Sequence, residues 1–400
     1  MPLVHFLIKW TRIYWFRLLK RICLSHTRSQ KLWVFGARER FRYDENSKHL
    51  FEYVNRHRPD IHAVWLTRDP AIRHHLRAQG LDARMSHSIG GYTAQFMAGI
   101  SFVNVSYRDV NWFLLYGCPV VQLWHGTPMM ENDLKYLGEE YAFVTLASEE
   151  FLTKQHLGDP KVFDFRLTGY PRADSLARTD IAPAVKHLKQ RYGFDKLVLY
   201  VPTHRRPPQW DGKGKPVVEY GLFGPYGFDF HAMEALMEKH NALFVLKLHP
   251  LQPFADAASA EHFENSSFMH LAAHDDPLAD VFDFMRSTDV LITDFSSIYF
   301  DFLLLDRPVI FTPFDIKEME STRKFRFDYN EITPGPQAHD WPETLRHLDQ
   351  ILNGADEFSE SRQRVCRRFN HHGDNNRCSR VVNEAMQYLL TMESKSKEQS

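Results

Sequence analysis

Short runs of apolar, often β-branched residues recur along this chain, and polar segments with helical periodicity separate them. The runs lie at 32–35, 63–67, 100–105, 120–124, 142–147, 197–201, 243–248, 290–294 and 309–312. Strands that alternate with helices predict parallel sheets that helices cover on both faces. Because the series restarts after a helical segment near 181–192, we expect an α/β protein with two doubly wound, Rossmann-like domains.

The pattern divides the 400 residues into four parts. Residues 1–30 are predicted to form a basic helix, 31–185 the first domain, 186–370 the second, and 371–400 a C-terminal helix and tail. Ligands of open α/β sheets bind beyond the carboxyl ends of the strands. We therefore expect the functional site in a cleft that the two domains face.

Composition excludes several classes of protein. Hydrophobic residues make up 44% of the chain and charged residues 25%, which is typical of a soluble globular protein. The four cysteines are scattered and form no CxxC pair, so neither a disulfide framework nor a zinc site is expected, and the chain fits a reducing compartment. The sequence contains no run of about 18 apolar residues, so a membrane-spanning helix is not expected.

Charge is strongly segregated at the start of the chain. Eight of the 49 basic residues and none of the 50 acidic residues lie within the first 38 positions. On a helix, the apolar and basic side chains of this segment fall on opposite faces. The apolar face holds Val4, Leu7, Ile8, Tyr14, Trp15, Leu18, Leu19 and Ile22, and the basic face holds Lys9, Arg12, Arg17, Lys20 and Arg21.

This pattern favours a helix that lies on an anionic membrane surface through residues 1–24. The alternative is a first helix that packs its apolar face on the protein body. Nucleic acid is not an expected partner, because the rest of the chain is acidic and carries no nucleic-acid-binding signature. Nothing in the sequence specifies an oligomeric state.

Polar residues cluster directly after four of the predicted strands. In chain order they are His125 with Gly126, Thr203 with Arg205, Lys247 with His249, and Asp294 with Ser296 and Ser297. Because the carboxyl ends of parallel strands meet at one edge, these side chains are expected to share one rim of the site.

Together these residues indicate an anion site that suits a diphosphate. Ser296 and Ser297 precede a helix that runs to about Leu305, and a helix N-terminus favours phosphate. Arg205 and His249 would add donors to phosphate oxygens. Taken singly, His125 is a common kind of structural histidine, Asp294 could cap a helix, and Arg205 could lie on a solvated face.

Motifs of other phosphate-binding enzymes are missing from the sequence. It contains no GxGxxG dinucleotide fingerprint, no P-loop and no kinase catalytic loop. No Asp-x-Asp pair occurs that would hold a metal ion against a diphosphate, so neither a metal nor a bound cofactor is expected.

Six segments together resemble a known family. They are VVQLWHGTP (120–128), TGYPRAD (168–174), VPTHR (201–205), KLHP (247–250), TDFSSIYFDFLLLDRPVIF (293–311) and FDYNEITPGP (327–336). In this order they resemble the motifs of CDP-glycerol glycerophosphotransferases, which build teichoic acids and related polyol phosphate polymers. The resemblance, over about 31–380, implies a glycosyltransferase-B-like fold and peripheral attachment to the cytoplasmic face of the plasma membrane.

The resemblance also implies roles for individual residues. His125 matches the candidate general base, and His249 matches a second essential histidine that binds the donor phosphate. Ser296 and Ser297 match the pair that holds the diphosphate. The other matches are Thr203, Arg205, Lys247, Asp294 and Asp301 on the donor side, with Asp301 at the position that contacts ribose or polyol, and Gly126, Thr127 and Lys135 on the acceptor side.

Some positions depart from the family or have no assigned role. Met130 stands where the family usually has Lys, which affects the acceptor and the polyol unless Lys135 replaces that charge. Phe295 stands where a Tyr commonly follows the motif Asp. The segment Tyr170–Arg172 matches a family motif, and the sequence does not show what role this motif has.

The implied reaction transfers glycerol phosphate from CDP-glycerol, or the corresponding unit from CDP-ribitol, to a hydroxyl of a lipid-linked or polymeric acceptor, with release of CMP. By the same resemblance the first domain binds the acceptor and the second the CDP donor. Two alternatives stay open: a glycosyltransferase-B enzyme that uses a nucleotide sugar, and a noncatalytic membrane-associated scaffold. Teichoic acid, capsule and lipopolysaccharide synthesis all fit the implied reaction.

Overall fold

A computed structural model describes residues 14, 17–127, 129, 140–151, 164–203, 226–248, 257–272, 278–322 and 324–398. Four residues that the sequence singles out, Met130, Lys135, Arg205 and His249, lie outside the described residues, as does most of the segment 1–16.

The first sheet contains seven parallel strands in the order β3-β2-β1-β4-β5-β6-β7. Its central strands are buried along most of their length, as expected for a sheet with helices on both faces. The strands are β1 (Ser29–Phe35), β2 (His62–Thr67), β3 (Ala83–Met85), β4 (Ala98–Val103), β5 (Val120–Gln122), β6 (Phe143–Thr145) and β7 (Phe165–Arg166).

The second sheet contains five parallel strands in the order β10-β9-β8-β11-β12. The strands are β8 (Lys196–Val201), β9 (Ala242–Lys247), β10 (Met269–Ala272), β11 (Val290–Thr293) and β12 (Val309–Phe311). In both sheets the strand order reverses direction at the first strand of the series, which is the topology of a doubly wound fold.

Helices connect the strands of both sheets. They are α1 (17–25), α2 (Glu45–His57), α3 (Pro70–Ala78), α4 (Ile89–Met97), α5 (Pro183–Tyr192), α6 (Phe230–Lys239), α7 (Ala257–Asn265), α8 (Val281–Met285), α9 (Ile298–Phe302), α10 (Ile316–Thr322), α11 (Tyr329–Ile332), α12 (Trp341–Leu352), α13 (Ser359–Phe369) and α14 (Arg377–Glu398). The α/β class predicted from the sequence is confirmed, and all nine predicted runs contain a strand.

The sequence missed three strands, and all three are edge strands. β3, β7 and β10 each pair with one neighbour, are two to four residues long, and are only partly buried. An edge strand covers less of the core than a central strand, so it needs fewer consecutive apolar residues. Their sequences therefore lack the apolar run by which the other strands are predicted.

The chain forms two compact units. The first comprises the described residues of Met1–His125, Asp133–Asp174 and Asp374–Ser400. The second comprises the described residues of Gly126–Asn132 and Ser175–Gly373. The expected domain boundary lies at 185/186, whereas the chain leaves the first unit after Asp174. The C-terminal helix α14 belongs to the first unit. This helix reaches Glu398, so the predicted tail is largely helical.

Each unit has an aromatic core beside its sheet. In the first unit, Phe35 stacks on Phe102 with ring centroids 4.8 Å apart, and Phe51 lies against Trp65 at 5.5 Å. In the second unit, Trp341 packs edge-on against Tyr200 at 5.2 Å. Burial of such large side chains supplies most of the stabilisation of each unit.

The N-terminal segment is fastened to the first unit by Arg28. Its guanidinium donates to five backbone carbonyls, three of them within Gln95–Ala98 and two at Leu114 and Tyr116. The preceding helix α1 buries Cys23. This helix therefore has a fixed place on the first unit.

The four cysteines all lie within the described residues and form no disulfide bonds. Within the ranges given above, the helices include none with the length and apolarity needed to cross a bilayer.

Gly36, directly after β1, provides a test of the close approach between its backbone and that of Asp109 in the loop after β4. A Cβ atom there would lie 1.9 Å from the backbone oxygen of Asp109, so Gly36→Ala must displace either the segment at Gly36 or the segment at Asp109. We expect it to cost about 2–4 kcal/mol and to lower the melting temperature by several degrees. Gly373→Ala, with nothing within 4 Å of the added atom, is the matched control and should leave the melting temperature nearly unchanged. Equal melting curves for both variants would contradict this packing.

Candidate active-site residues

His125 lies beyond the carboxyl end of β5, as the sequence predicts. The backbone of Trp124 adopts the left-handed conformation, with φ at 59°, and turns the chain sharply after the strand. The Trp124 N–H donates to Oε1 of Gln122 at 3.1 Å. The imidazole that follows is exposed to solvent, so a ligand can reach it.

Side chains from distant parts of the first unit hold the carbonyl groups of this turn. Nδ2 of Asn46 donates to the carbonyls of Leu123 and Trp124, at 3.2 and 2.8 Å. Nη1 of Arg172 donates to the carbonyl of His125 at 3.1 Å. The backbone N–H of Arg172 in turn donates to Oδ1 of Asn46 at 3.0 Å. The turn is therefore fixed at three successive carbonyls.

The ring of His125 is also oriented. It stacks on the indole of Trp124, with centroids 4.9 Å apart. The backbone of Asn104 interacts with the ring in the direction that raises its pKa. Oδ1 of Asn104 accepts hydrogen bonds from the backbone N–H and the hydroxyl of Ser47, which fix this residue in its loop.

The loop that carries Asn104 rests on a buried carboxylate. Asp109 accepts hydrogen bonds from the backbone N–H groups of Glu39, Asn104 and Val105, at 2.8 to 2.9 Å. Burial raises the pKa of Asp109 to about 6, although these hydrogen bonds act in the opposite direction. The carboxylate thus joins the loops after β1 and β4.

The pKa of His125 is lowered to about 4. Loss of hydration among the surrounding protein atoms is the largest cause, and the positive charges of Arg38 and Arg172 act in the same direction. The negative charge of Glu45 and an interaction with the backbone of Asn104 raise the pKa. Water reaches the exposed ring and weakens the effect of burial, and the net shift of the pKa is downward. The imidazole is therefore neutral at pH 7 and able to accept a proton.

The next residues of this motif begin the second unit. Gly126 has φ at 122°, a backbone conformation that other residues rarely adopt. Thr127 is buried. The acceptor-side role expected for Gly126, Thr127 and Lys135 stays a prediction, and Lys135 lies outside the described residues.

Asp294 joins two strand ends in the second unit. Its Oδ1 accepts hydrogen bonds from the N–H and the hydroxyl of Thr203, at 2.8 and 2.6 Å, and from the N–H of Phe295 at 2.6 Å. The Tyr329 hydroxyl donates to the carbonyl of Asp294 at 3.0 Å. Thr203 follows β8 and Asp294 follows β11, so the structure brings these two sequence-predicted residues together. Asp294 is buried and holds Thr203 in place.

Other donor-side residues lie at the same edge of the second sheet. Lys247 is the last residue of β9, which pairs with β8, and it is buried. Ser296 and Ser297 are half-buried, and Ser297 precedes the first residue of α9 without a side-chain capping bond. Asp301 is only 3% exposed, which leaves a donor little of its surface to contact. Arg205 and His249 lie outside the described residues.

Sequence reasoning missed Glu45, Asn46 and Asn104. Asn46 lies in the first turn of a predicted helix, where polar residues are ordinary, and Asn104 lies at the end of an apolar run. Each has a contact with a residue 57 to 127 positions away along the chain. A single sequence gives no signal for such pairs.

A metal centre does not emerge from the described part of the chain, which holds no group of three or more His, Cys, Asp or Glu side chains placed to bind an ion.

Comparison with protein families gives one match that spans most of the chain. Residues 18–387 match the family described as CDP-Glycerol:Poly(glycerophosphate) glycerophosphotransferase. The six motifs quoted above, between residues 120 and 336, all lie within the matched range.

Similar proteins point to the same family. A teichoic acid glycerol-phosphate transferase of Staphylococcus aureus is 25% identical over 383 residues, which are 86% of this chain and 90% of that protein. A teichoic acid poly(glycerol phosphate) polymerase of Bacillus subtilis is also 25% identical, over 80% of this chain. This chain spans 44% of the length of that polymerase.

A solved structure shares the fold. The H548A variant of the wall teichoic acid polymerase TagF superposes with a TM-score of 0.70 and covers 96% of this chain and 97% of that chain. The two sequences are 18% identical, so this likeness establishes the architecture and nothing more.

Asp294 provides a test of the second unit's strand-end arrangement. Asp294→Ala would leave three donors without their acceptor in a buried place, and we expect a loss of about 2–4 kcal/mol in the free energy of unfolding. Glu331→Ala, which removes an exposed partner of Arg368 in the same unit, is the control and should cost less than about 1 kcal/mol. Chemical denaturation measures both, and similar losses would show that Asp294 does not hold this edge.

Proposed function

This chain belongs to the family of CDP-glycerol:poly(glycerophosphate) glycerophosphotransferases, and we propose that it transfers glycerol phosphate, or a related polyol phosphate, from a CDP-activated polyol to a hydroxyl group of a membrane-linked acceptor or growing polymer. The observation that supports this most is the family match over 18–387, a range that includes His125, Ser296 and Ser297. Similar proteins named as teichoic acid enzymes support a teichoic acid type of product.

The proposed reaction is a single displacement at phosphorus. The acceptor hydroxyl oxygen attacks the β-phosphorus of the CDP-polyol, and a new phosphodiester bond forms. The bond between this phosphorus and the oxygen that bridges to the α-phosphate breaks, and CMP leaves. The hydroxyl proton passes to His125, whose imidazole is neutral at pH 7 and stacks on the indole of Trp124.

The second unit is proposed to bind the donor. Lys247 and the first-turn groups at Ser296 and Ser297 offer positive charge and hydrogen-bond donors at one edge of its sheet. Asp294 holds Thr203 in position through two hydrogen bonds. Arg205 and His249 keep their predicted roles toward the donor phosphates. The positions of all these groups would stabilise charge on the transferring and leaving phosphates.

Helix α1 supports a peripheral position on the cytoplasmic face of the plasma membrane. Tyr14, Ile22 and Leu24 are exposed apolar residues, and Arg17, Lys20 and Arg21 are exposed cations in the same segment. Leu18 and Leu19 are half-buried, so part of the predicted apolar face packs on the first unit. The exposed remainder has the composition of a surface that binds anionic lipid.

Release of CMP tests the reaction and the base together. With CDP-glycerol or CDP-ribitol and a lipid-linked acceptor, the wild-type protein should release CMP, whereas UDP-sugars should give no turnover. His125→Asn should lower kcat by about a hundred- to ten-thousand-fold, because the proton acceptor is lost. The control His231→Asn changes an exposed histidine of α6 and should keep full activity. Turnover with UDP-sugars, or an active His125→Asn variant, would contradict the proposal.

The pH profile follows from the lowered pKa of His125. A base acts only when unprotonated, and this imidazole stays unprotonated below the ordinary histidine range. As pH falls, kcat/KM should therefore be maintained through pH 6.5 and decline only as pH approaches the lowered pKa. A decline centred near pH 6.5 or above would show that an ordinary histidine, or another group, controls the rate.

Binding to vesicles tests the membrane surface. Reversing Arg17, Lys20 and Arg21 to Glu should reduce binding to vesicles that contain phosphatidylglycerol by about a hundredfold or more, since each cation contributes about 1 kcal/mol. Lys317, Arg346 and Arg364, exposed cations of the second unit, provide the control when all three are changed to Glu. Equal losses for both triple variants would exclude a specific role of α1.

A further inference from the structure

The sequence motif at 168–174 has no role in the reaction as described so far. In the structure it follows β7 and enters a 3-10 helix, Pro171–Ala177. Its arginine, Arg172, is 4% exposed, which is unusual for a guanidinium that touches no ligand. A buried arginine needs partners for its charge and its donors, and those partners identify its role.

Arg172 uses its backbone and its side chain on the same turn. Its N–H donates to Asn46, which holds the carbonyls of Leu123 and Trp124, and its Nη1 donates to the carbonyl of His125. Its Nη1 also forms an ion pair with Oε2 of Glu45. One residue therefore connects the His125 turn to a carboxylate that changes the charge around the imidazole.

Glu45 is held between two arginines. Its Oε1 lies 2.5 Å from Nη2 of Arg38, and its Oε2 pairs with Arg172. The backbone of Glu45 has φ at 63°, a left-handed conformation that costs of the order of 1 kcal/mol for a residue with a side chain. The surrounding contacts maintain this conformation at the start of α2, where the carboxylate bridges both guanidinium groups.

We propose that Glu45 and Arg172 are positioning residues for His125, with an ion pair that fixes the turn before the imidazole and balances the charge around it. This inference rests on the proposed function, in which His125 accepts the acceptor's proton. It gives the motif at 168–174 a role on the acceptor side of the reaction.

Charged groups face the imidazole from three elements of the described chain. Glu45 comes from α2, Arg38 from the loop after β1, and Arg172 from the 3-10 helix after β7, while the loop after β4 contributes the uncharged backbone of Asn104. The negative charge of Glu45 favours the protonated ring, and the two positive charges disfavour it. The two members of the ion pair therefore act on His125 in opposite directions.

This opposition gives a distinctive test. Glu45→Gln removes the negative charge, so the acid limb of the kcat/KM profile should move to lower pH. Arg172→Gln removes a positive charge, so the same limb should move to higher pH. Shifts of roughly half a pH unit are expected for charges at such sites. Damage to the fold alone would lower activity at every pH without moving the limb in opposite directions.

A third variant separates charge from geometry. Arg172→Lys keeps the positive charge but replaces the rigid, planar guanidinium, whose Nη1 bonds both Glu45 and the His125 carbonyl, with a shorter and more flexible group. Its acid limb should remain near the wild-type pH, while kcat falls by about ten- to a hundredfold because the turn is less well fixed. Thermal melting of each variant establishes that the protein tested is folded.

Glu384→Gln is the matched control. It removes a carboxylate that pairs with Arg166 in the same unit, away from the groups that face the imidazole. It should change neither the limb nor kcat. If the Glu45→Gln and Arg172→Gln variants are folded and keep the acid limb at the wild-type pH, while His125→Asn is inactive, this inference is wrong and the proposed function stands. An active His125→Asn variant would instead overturn the proposed function itself.

Discussion

Loops after parallel strands contain backbone N–H and C=O groups that no neighbouring strand can pair, and in both units buried side chains pair with them. Asp109 accepts from three N–H groups in the loops after β1 and β4. Asn46 donates to two carbonyls after β5. Asp294 accepts from the segments after β8 and β11. Rigid placement of the residues beside them, including His125 and Thr203, depends on these bonds.

The same arrangement determines the chemistry of His125. Lost hydration and the positive charges of Arg38 and Arg172 hold the pKa of the imidazole below the ordinary value, although the negative charge of Glu45 raises it. A neutral imidazole at physiological pH is what proton acceptance from a hydroxyl requires. Burial of Arg172 costs free energy that its bonds to Glu45, Asn46 and His125 offset. The charges near the base are thus part of the structure that holds it.

Six short motifs in order identified the family, and the match over 18–387 confirms it. Five of the six motifs place polar residues at or after the end of a strand, whereas the sixth, at 327–336, contains helix α11. The apolar runs placed His125, Thr203 and Asp294 at strand ends, as the structure has them. The donor-side role that the resemblance implies for Asp294 stays a prediction. The structure adds that Asp294 has hydrogen bonds with Thr203, Phe295 and Tyr329, which the sequence did not predict.

The sequence by itself determined the α/β class, the central strands and the candidate base, because apolar runs and local motifs are encoded by neighbouring residues. Only the tertiary structure decided the edge strands β3, β7 and β10, which have little apolar surface to bury. It also decided which residues surround His125. Glu45, Asn46 and Arg172 hold the turn through contacts between positions 47 to 127 residues apart, and pairings over such distances arise from packing rather than from any local pattern.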